Sequence, residues 1–307
     1  MQPIIEAVLN QMERVIVGKR SVLVQVMIGV LSEGHILIED VPGVGKTQLV
    51  ATLARVLGGE FRRIQLTPEV TPSDITGFSM FNQKTQEFEY RQGVSMCNFL
   101  LADEINRASS RAQSSLLEIM EEGRVTVDGE RHDLPKPFIV LATQNPIENY
   151  GTYHLPEAQM DRFFIKLSMG YPSYESELQV MNIYQDYNPL HELEPVLSTQ
   201  KLVQLQSIVK EVRVEEILKQ YILNIVHMTR TSPMLKLGSS PRGSISLLKA
   251  SKARAFIEGR DYVLPDDIQK LVVPILGHRM ILSQEAKAQG YTPEMVLQSI
   301  LKQIPIR

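Results

Sequence analysis

Three segments of the chain share one pattern, in which a continuous apolar run ends directly in polar residues. They read HILIEDVPGVGKT at 35–47, NFLLADEINR at 98–107 and PFIVLATQNP at 137–146. Runs that are apolar on both faces are typical of central strands in a parallel sheet, because helices cover both faces of such a sheet. Between the runs, RAQSSLLEIMEEG has helical spacing, with Gly123 as its expected terminator. The alternation predicts an α/β fold with a parallel sheet.

The polar residues after the three runs are the candidate functional residues. Ligands of open α/β sheets bind outside the carboxyl ends of the strands. We therefore expect the three polar tails to meet in space, although they are far apart in the sequence.

The first tail has the glycine-rich pattern of a phosphate-binding loop. Gly43 and Gly45 allow the backbone to turn so that successive N–H groups point at phosphate oxygens. Lys46 adds a positive charge, and Thr47 can ligate Mg²⁺. A helix beginning near Lys46 would add the positive end of its dipole.

Asp40 stands where the standard G-x-x-x-x-G-K-[ST] pattern has its first glycine. That position only starts the loop, whereas the close approach of the backbone to phosphate occurs at Gly43 and Gly45. Pro42 also presets φ at its own position. We interpret Asp40 as tolerated rather than disabling.

The second and third tails offer one acidic pair and one amide. Asp103 and Glu104 have the form of a Walker B motif, in which the aspartate helps to hold Mg²⁺ and the glutamate polarises an attacking water. An isolated acidic pair would be a solvated strand end, but the loop upstream favours the functional interpretation. Asn145 could bridge the attacking water and the γ-phosphate, although an asparagine before a proline is by itself a turn former.

The C-terminal part of the chain has a different pattern. From about residue 190 onward, three- and four-residue spacing dominates and no strand-like run is visible, which predicts a helical domain of roughly 115 residues. In LPDDI, Pro265 is expected at the first position of a helix, with Asp266 and Asp267 in its first turn. Leu264 is a poor N-cap, so the start of this helix is predicted only to within two residues.

Composition and charge exclude several classes of function. The longest apolar runs are far shorter than the roughly 20 residues of a membrane span, no signal peptide is visible, and we expect a cytoplasmic protein. The net charge of −3 gives no global reason to bind nucleic acid or an anionic membrane. The single cysteine, Cys97, is expected to be structural, and the six histidines have no spacing typical of a transition-metal site.

Eight motifs together resemble those of the MoxR family of AAA+ ATPases, in the helix-2-insert clade, and they cover nearly the whole chain. They are VIVGKR (15–20), EDVPGVGKT (39–47), RIQLTPEVTPSDITG (63–77), LLADEINRA (100–108), ATQNPIE (142–148), LPEAQMDRF (155–163), SPRG (240–243) and GRDYVLPDDI (259–268). The resemblance implies an AAA+ P-loop core, a three-layer αβα sandwich, over residues 1–175. A linker over 176–190 and an all-helical lid over 191–307 would follow.

The resemblance also implies roles for individual residues. Asn145 would be the sensor-1 residue, Glu104 the catalytic glutamate and Arg162 an arginine finger offered to a neighbouring subunit. Arg242 would be the sensor-2 arginine, acting either on its own nucleotide or on the neighbour's. Thr47 and Asp103 would hold Mg²⁺. ATP would contact Val17 and Gly18 beside the adenine, and further Pro42, Gly43, Val44, Gly45, Lys46, Thr47, Gln48, Asp103 and Arg242.

Two segments predict β-hairpins. RVTVDGERHDL alternates Val125 and Val127 before an Asp128-Gly129 turn, and FSMFNQKTQEFEYRQG alternates apolar residues around a polar turn. The resemblance implies that these hairpins are the insertions of the helix-2-insert clade and that they face the pore or the upper face of a ring. The alternative is two surface hairpins without a contact role.

The resemblance implies a Mg²⁺-dependent ATPase that assembles as a ring, expected to be a hexamer, and remodels or matures a protein client. Relatives act in maturation, metal insertion or complex assembly, often with a separate protein that contains a von Willebrand factor A domain. A nucleic-acid motor is an alternative, but the basic and acidic residues of the hairpins balance: Lys84, Arg91, Arg124, Arg131 and Lys136 against Glu87, Glu89, Asp128, Glu130 and Asp133. A scaffold that binds ATP without hydrolysing it is the other alternative.

Overall fold

A parallel sheet of five strands forms the centre of the N-terminal part of the chain. The computed structural model describes residues 2–146 and 155–305. In chain order the strands are β1 (Ile36–Glu39), β2 (Phe61–Gln65), β3 (Gly77–Asn82), β4 (Glu87–Gln92), β5 (Phe99–Asp103), β6 (Arg124–Val127), β7 (Glu130–Asp133), β8 (Ile139–Gln144), β9 (Ile165–Leu167), β10 (Leu235–Leu237) and β11 (Ile281–Leu282). The α-helices are α1 (Pro3–Glu13), α2 (Arg20–Leu31), α3 (Lys46–Val56), α4 (Pro72–Thr76), α5 (Ser110–Glu122), α6 (Glu157–Met160), α7 (Tyr174–Asp186), α8 (Thr199–Lys210), α9 (Glu216–Thr231), α10 (Pro241–Ile257), α11 (Pro265–Gln269), α12 (Val272–Leu276), α13 (Gln284–Ala288) and α14 (Pro293–Gln303).

The strand order in the sheet is β2-β5-β8-β1-β9, and each neighbouring pair is parallel. The three strands predicted from the sequence, β5, β8 and β1, lie side by side at its centre. Leu101 pairs with Leu141, which pairs in turn with Ile36. Their carboxyl ends therefore lie along one edge, as predicted. The α/β class with a parallel sheet is confirmed.

Successive residues of the central strands point to opposite faces of the sheet and enter two separate cores. Ile36, Ile38 and Leu101 belong to a cluster that continues through α1, α2 and α3 into the C-terminal helices. Leu37 and Leu100 belong to a second cluster beneath α5. All five side chains are fully buried. Because both faces are covered, these strands are continuous apolar runs rather than alternating ones.

Helix α5 begins and ends where local chemistry requires it. The Ser109 hydroxyl accepts a hydrogen bond from the N–H of Ala112 at 3.3 Å, and Gly123 ends the helix at a φ of +65° that favours glycine. The predicted apolar face is buried in the second core: Leu116, Leu117, Ile119 and Met120. Both the helix and its terminator are confirmed.

The two predicted hairpins are β3–β4 and β6–β7. Asp128 and Gly129 have φ values of +50° and +85°, the left-handed pair that closes a tight two-residue turn. The rings of Tyr90 and His132 stack with centroids 3.9 Å apart, so the hairpins contact each other. Phe88 on β4 is 75% exposed.

The C-terminal part is helical from α8 to α14 with one exception. Strands β10 and β11 form a short antiparallel pair, which the sequence did not predict because three and two residues are too few to show alternation. Segment 176–190, predicted as a linker, lies largely within α7. The domain limits 1–175, 176–190 and 191–307 stay a prediction.

The LPDDI segment begins α11 as predicted, with Pro265 as its first residue. The Leu264 N–H is satisfied by the carboxylate of Asp267 at 2.8 Å. That carboxylate is 1% exposed and also accepts two hydrogen bonds from Arg260, both at 2.7 Å. Asp267 therefore supplies the half of a capping box that satisfies the N-cap N–H, although Leu264 has no side-chain oxygen for the other half.

Cys97 is fully buried, and burial raises the pKa of its thiol to about 12. This supports the structural role that the sequence suggests for it. Among the described helices, none combines the length and the apolar character that a bilayer crossing requires.

Candidate nucleotide-binding site

The loop between β1 and α3 has the backbone that phosphate binding requires. Gly43 and Gly45 have φ values of +86° and +90°, a region that side chains rarely adopt. Helix α3 begins directly afterwards at Lys46, so its unpaired N–H groups and positive dipole end face the loop. The predicted loop geometry and helix start are both present.

The three polar tails meet in one cavity of about 360 Å³. Most of its walls come from the loop, from the end of β5 and from the end of β8, and β2 closes one side. Its lining residues are Pro42, Gly43, Gly45, Lys46, Thr47, Gln48, Arg63, Gln65, Asp103, Glu104 and Asn145. The convergence expected from the sheet topology is confirmed. Arg63 and Gln65 were missed, because β2 is not a continuous apolar run.

A second cavity of about 520 Å³ lies on the other side of the same loop. Val17 and Val44 line it, together with Pro42, Gly43, Gly45 and Gln48, which both cavities share. The remaining walls come from the segments before α2 and after β9: Val15, Ile16, Lys19, Met169, Tyr171, Pro172, Glu177, Val180 and Tyr184. We call this the base-side cavity, because its largely apolar walls suit a purine next to a phosphate loop.

Gly18 turns the chain between two residues of the base-side cavity. Its φ is +70°, and a Cβ at this position would lie 2.2 Å from the Ser176 hydroxyl oxygen. Gly18 is not among the residues that line the cavity, whereas Val17 and Lys19 on either side are. Its predicted place beside the base is therefore indirect, through the conformation that it allows.

The phosphate cavity has the oxygen ligands and the charge that Mg²⁺ would require. Thr47 and Asp103, the predicted ligands, both line it. In this structure Asp103 Oδ2 accepts a hydrogen bond from Arg63 at 2.6 Å, so a cation already contacts that carboxylate. A hydroxyl and a carboxylate beside phosphate oxygens are typical Mg²⁺ ligands, and the residues present fit the ion.

Glu104 is held in an unusual conformation. Its φ is +57°, which is uncommon for a residue with a side chain and is often found at functional sites. Its N–H donates to the Thr143 hydroxyl at 2.8 Å, and that hydroxyl donates to Asp103 Oδ1 at 2.5 Å. The Glu104 carboxylate pairs with Arg107 at 3.1 Å.

Thr143 therefore orients both acidic residues, a role that the sequence did not predict for it. It lies within the ATQNPIE motif, two residues before Asn145 and at the end of a strand that pairs with β5. Asn145 itself is buried, with 5% of its surface exposed, and lines the phosphate cavity.

Asp40 is not merely tolerated in the loop, because it makes specific hydrogen bonds of its own. It is 7% exposed, and its main-chain oxygen accepts a hydrogen bond from Lys46 Nζ at 2.8 Å. Its carboxylate accepts hydrogen bonds from Ser168, Met169 and Gly170, which follow β9. A glycine at this position could make none of the carboxylate contacts.

Arg162 and Arg242 lie together, away from the phosphate cavity. Both pair with the carboxylate of Glu121 at the end of α5, at 3.2 Å and 2.5 Å. All three line a third cavity of about 220 Å³, and neither arginine is among the described residues that line the cavities beside the phosphate loop. The structure thus separates the two arginines from Glu104 and Asn145 within one chain.

A buried ion pair fixes the segments that carry the two arginines. Asp161, which precedes Arg162, pairs with Arg279 at 2.5 Å and accepts a hydrogen bond from the Ser240 hydroxyl at 2.8 Å. Arg279 is 6% exposed, and burial lowers its pKa while Asp161 opposes that effect. Arg279 could not be predicted as a functional residue, because no motif contains it.

Comparison with known proteins matches each of the two parts of the chain to a family. The family described as "ATPase family associated with various cellular activities (AAA)" matches residues 35–165. The AAA lid domain family matches residues 227–300. The first range contains the phosphate loop, both acidic residues and Arg162, and the second contains Arg242.

Individual relatives extend over both parts. YeaC of Bacillus subtilis, itself uncharacterized, is 50% identical and the match covers 100% of this chain and 96% of that protein. Chaperone MoxR1 of Mycobacterium tuberculosis is 41% identical, over 98% of this chain and 82% of that protein. The crystal structure of a candidate ATPase from Cytophaga hutchinsonii matches with a TM-score of 0.93 and 39% identity, over 98% of this chain and 94% of that one.

The fold and the relatives give one consistent assignment. The AAA range ends within β9, the last strand of the sheet, and the lid range lies within the C-terminal helices. The relatives named MoxR are similar over almost the whole chain, which agrees with the eight motifs. This chain belongs to the MoxR family of AAA+ ATPases.

Proposed function

We propose that this protein is a Mg²⁺-dependent ATPase that works as a ring, expected to contain six subunits, in which each subunit completes its neighbour's site. The observation that carries this proposal is the placement of Arg162 and Arg242 on one carboxylate, outside the phosphate cavity of their own chain. Arginines that lie away from the nucleotide cavities of their own chain are placed to act on the nucleotide of another subunit. The position of Arg242 favours its action on the neighbour's nucleotide rather than on its own.

Under this proposal, the chain's own residues have distinct roles in binding and hydrolysing the nucleotide. The loop and Lys46 bind the phosphates, and Val17 contributes to the base-side cavity. Glu104 polarises the attacking water, and Asn145 positions it. Mg²⁺, held by Thr47 and Asp103, would neutralise the charge on the phosphates when it is bound.

The arginine from the neighbour sets the expected difference in hydrolysis rate between an assembled and an isolated subunit. In related nucleotide hydrolysis, an arginine supplied from another protein is worth about 10³ to 10⁵ in rate, roughly 4 to 7 kcal/mol of barrier. An isolated subunit would therefore be nearly inactive. Assembly would act as the switch for hydrolysis.

The purpose of hydrolysis would be to remodel or mature a protein client in the cytoplasm, in the way that the name of the relative Chaperone MoxR1 suggests. We further propose a separate partner protein with a von Willebrand factor A domain. The hairpins β3–β4 and β6–β7, which contact each other and expose Phe88, would face the client. A nucleotide can bias such a partner only if the partner's affinity differs between nucleotide states.

The first test is a comparison of binding with turnover in single variants. Arg162→Ala and Arg242→Ala should bind ATP like the wild type, because neither arginine lines the chain's own nucleotide cavities. Arg162→Ala should lose turnover by a factor of about 10³ or more, since the finger is absent. Calorimetry measures ATP binding, and phosphate release measures turnover.

The matched control is Arg213→Ala, which removes an exposed arginine that pairs with the exposed Asp261 at 3.1 Å. It should keep both binding and turnover. Full turnover in Arg162→Ala would contradict the proposal. Turnover near zero in the assembled wild type would favour a non-hydrolysing scaffold, and turnover that DNA stimulates in a salt-sensitive way would favour a nucleic-acid motor.

A further inference from the structure

Asp40, the residue that departs from the standard phosphate-loop pattern, has a carboxylate with four hydrogen bonds. Oδ2 accepts from the Ser168 hydroxyl at 3.0 Å, from the Met169 N–H at 2.6 Å and from the Gly170 N–H at 2.7 Å. Oδ1 accepts from the N–H of Val41 at 3.0 Å. A buried carboxylate with this many donors is a strong structural anchor, because hydrogen bonds to a charged acceptor are stronger than neutral ones.

The segment that donates to Asp40 includes part of the wall of the base-side cavity. Met169 lines that cavity, and so does Tyr171 two residues later. The main-chain oxygen of Tyr171 accepts a hydrogen bond from Lys19 Nζ at 2.7 Å. Asp40 and Lys19 therefore hold the segment 168–171 from two sides.

The other end of Asp40 contacts the phosphate side. Its main-chain oxygen accepts the hydrogen bond from Lys46 Nζ, the side chain expected on the phosphates. Asp40 thus joins the phosphate loop to the base-side wall through one residue. A glycine at this position would leave the buried N–H of Met169 and the half-buried N–H of Gly170 without their acceptor, and an unpaired buried donor is unfavourable.

We propose that Asp40 is a positioning residue for nucleotide binding, whose carboxylate fixes the base-side wall relative to the phosphate loop. The proposal rests on the proposed function only in taking the ligand to be a purine nucleotide. It makes a counterintuitive prediction: Asp40→Gly restores the standard loop pattern and yet weakens nucleotide binding. The variant should lose affinity for the base of the nucleotide rather than for its phosphates.

The test compares ATP with inorganic tripolyphosphate, which has the phosphates but no base. Calorimetry with Mg²⁺ present would measure both affinities for the full chain. For Asp40→Gly we expect the affinity for ATP to fall by about 10- to 100-fold, because the loss of buried acceptors loosens the wall. The affinity for tripolyphosphate should change by less than about threefold, since the loop's own N–H groups remain.

Two further variants make the comparison decisive. Glu39→Gln is the matched control, because the neighbouring carboxylate pairs with Lys166 of β9 at 2.7 Å but lines neither cavity. It should bind both ligands like the wild type. Asp40→Asn keeps one acceptor oxygen and should show an intermediate loss of preference for ATP over tripolyphosphate. If Asp40→Gly does not fold, Asp40→Asn tests the positioning role in its place.

The outcomes separate this proposal from the proposed function. An unchanged ratio of ATP to tripolyphosphate affinity in the Asp40 variants, whether both affinities fall or neither does, would overturn the positioning role. A wild-type chain that does not bind ATP would overturn the proposed function itself.

Discussion

The acidic residues of the phosphate cavity are each paired with an arginine. Arg63 contacts Asp103, and Arg107 contacts Glu104. Both arginines are substantially exposed, so each pair contributes little to stability and is easily exchanged for another partner. Under the proposed function, Asp103 would exchange Arg63 for Mg²⁺, and Glu104 would exchange Arg107 for water.

Two buried histidines make stability depend on pH. Burial lowers the pKa of His35 to about 4 and that of His278 to about 3, below the ordinary value of 6.5. The unfolded chain therefore takes up protons below pH 6.5 that the folded chain does not. The free energy of unfolding should fall as the pH decreases from about 6.5 towards 4, by about 1.4 kcal/mol per pH unit for each histidine.

The variant His35→Gln tests this dependence. His35 accepts a hydrogen bond from the Val140 N–H at 3.0 Å and donates to the Met120 oxygen at 2.8 Å, so the variant should lose about 1–3 kcal/mol at pH 7.5. The difference in unfolding free energy between pH 7.5 and pH 5.5, measured by urea titration, should shrink by about 1.4 kcal/mol. The exposed His227→Gln should leave that difference unchanged. An equal difference in wild type and His35→Gln would refute the assignment.

At the residue scale, the predictable residues were those that belong to a local sequence pattern. Gly43 and Gly45 were predictable because a phosphate loop requires glycine where φ is positive, and Asp103 because it ends a continuous apolar run. Thr143 and Arg279 were not visible, since an ordinary threonine or arginine gains its role only from neighbours distant in the sequence. Asp40 was noticed as a departure, but its partners lie about 130 residues away.

At the scale of elements, helix α11 depends on one buried carboxylate. Asp267 binds Arg260 with two hydrogen bonds and satisfies the N–H of Leu264. Removing one partner of a buried ion pair leaves the other charge uncompensated, so Asp267→Ala should lower the free energy of unfolding by about 3–5 kcal/mol. Asp266→Ala, next to it, removes an exposed pair with Lys270 and should cost less than about 1 kcal/mol. Urea unfolding of both variants measures the difference, and similar losses would show that the cap is unimportant.

The central strands and the hairpins were predictable from the sequence, whereas the short strands of the C-terminal part were not. The central strands were continuous apolar runs because both faces are buried, and the hairpin β6–β7 had an Asp-Gly turn, which strongly favours a tight hairpin. Strands β10 and β11 were too short to show a period. The strand order could not be derived from the runs alone, because the pairing of β1 with both β8 and β9 depends on long-range packing.

At the scale of the whole molecule, the lid and the sheet are joined where the two arginines lie. The buried pair of Asp161 and Arg279 connects the segment of Arg162 with the lid, and the Ser240 hydroxyl connects Asp161 with the start of α10, which carries Arg242. Glu121 then holds both arginines at one place. In the proposed ring, the chain would present them as a unit to a second copy. The sequence suggested both residues by resemblance, but only the fold brings them together.

The most direct test of completion by a neighbour is an experiment with mixed variants. Glu104→Gln lacks the catalytic carboxylate but keeps both arginines, whereas Arg162→Ala keeps Glu104 but lacks the finger, so each alone should be nearly inactive. In mixed rings some Glu104 sites face an intact Arg162, and an equal mixture should recover about a quarter of wild-type turnover if assembly is random. A mixture that never exceeds the two separate rates, at any ratio and at concentrations where both variants bind ATP, would contradict the account.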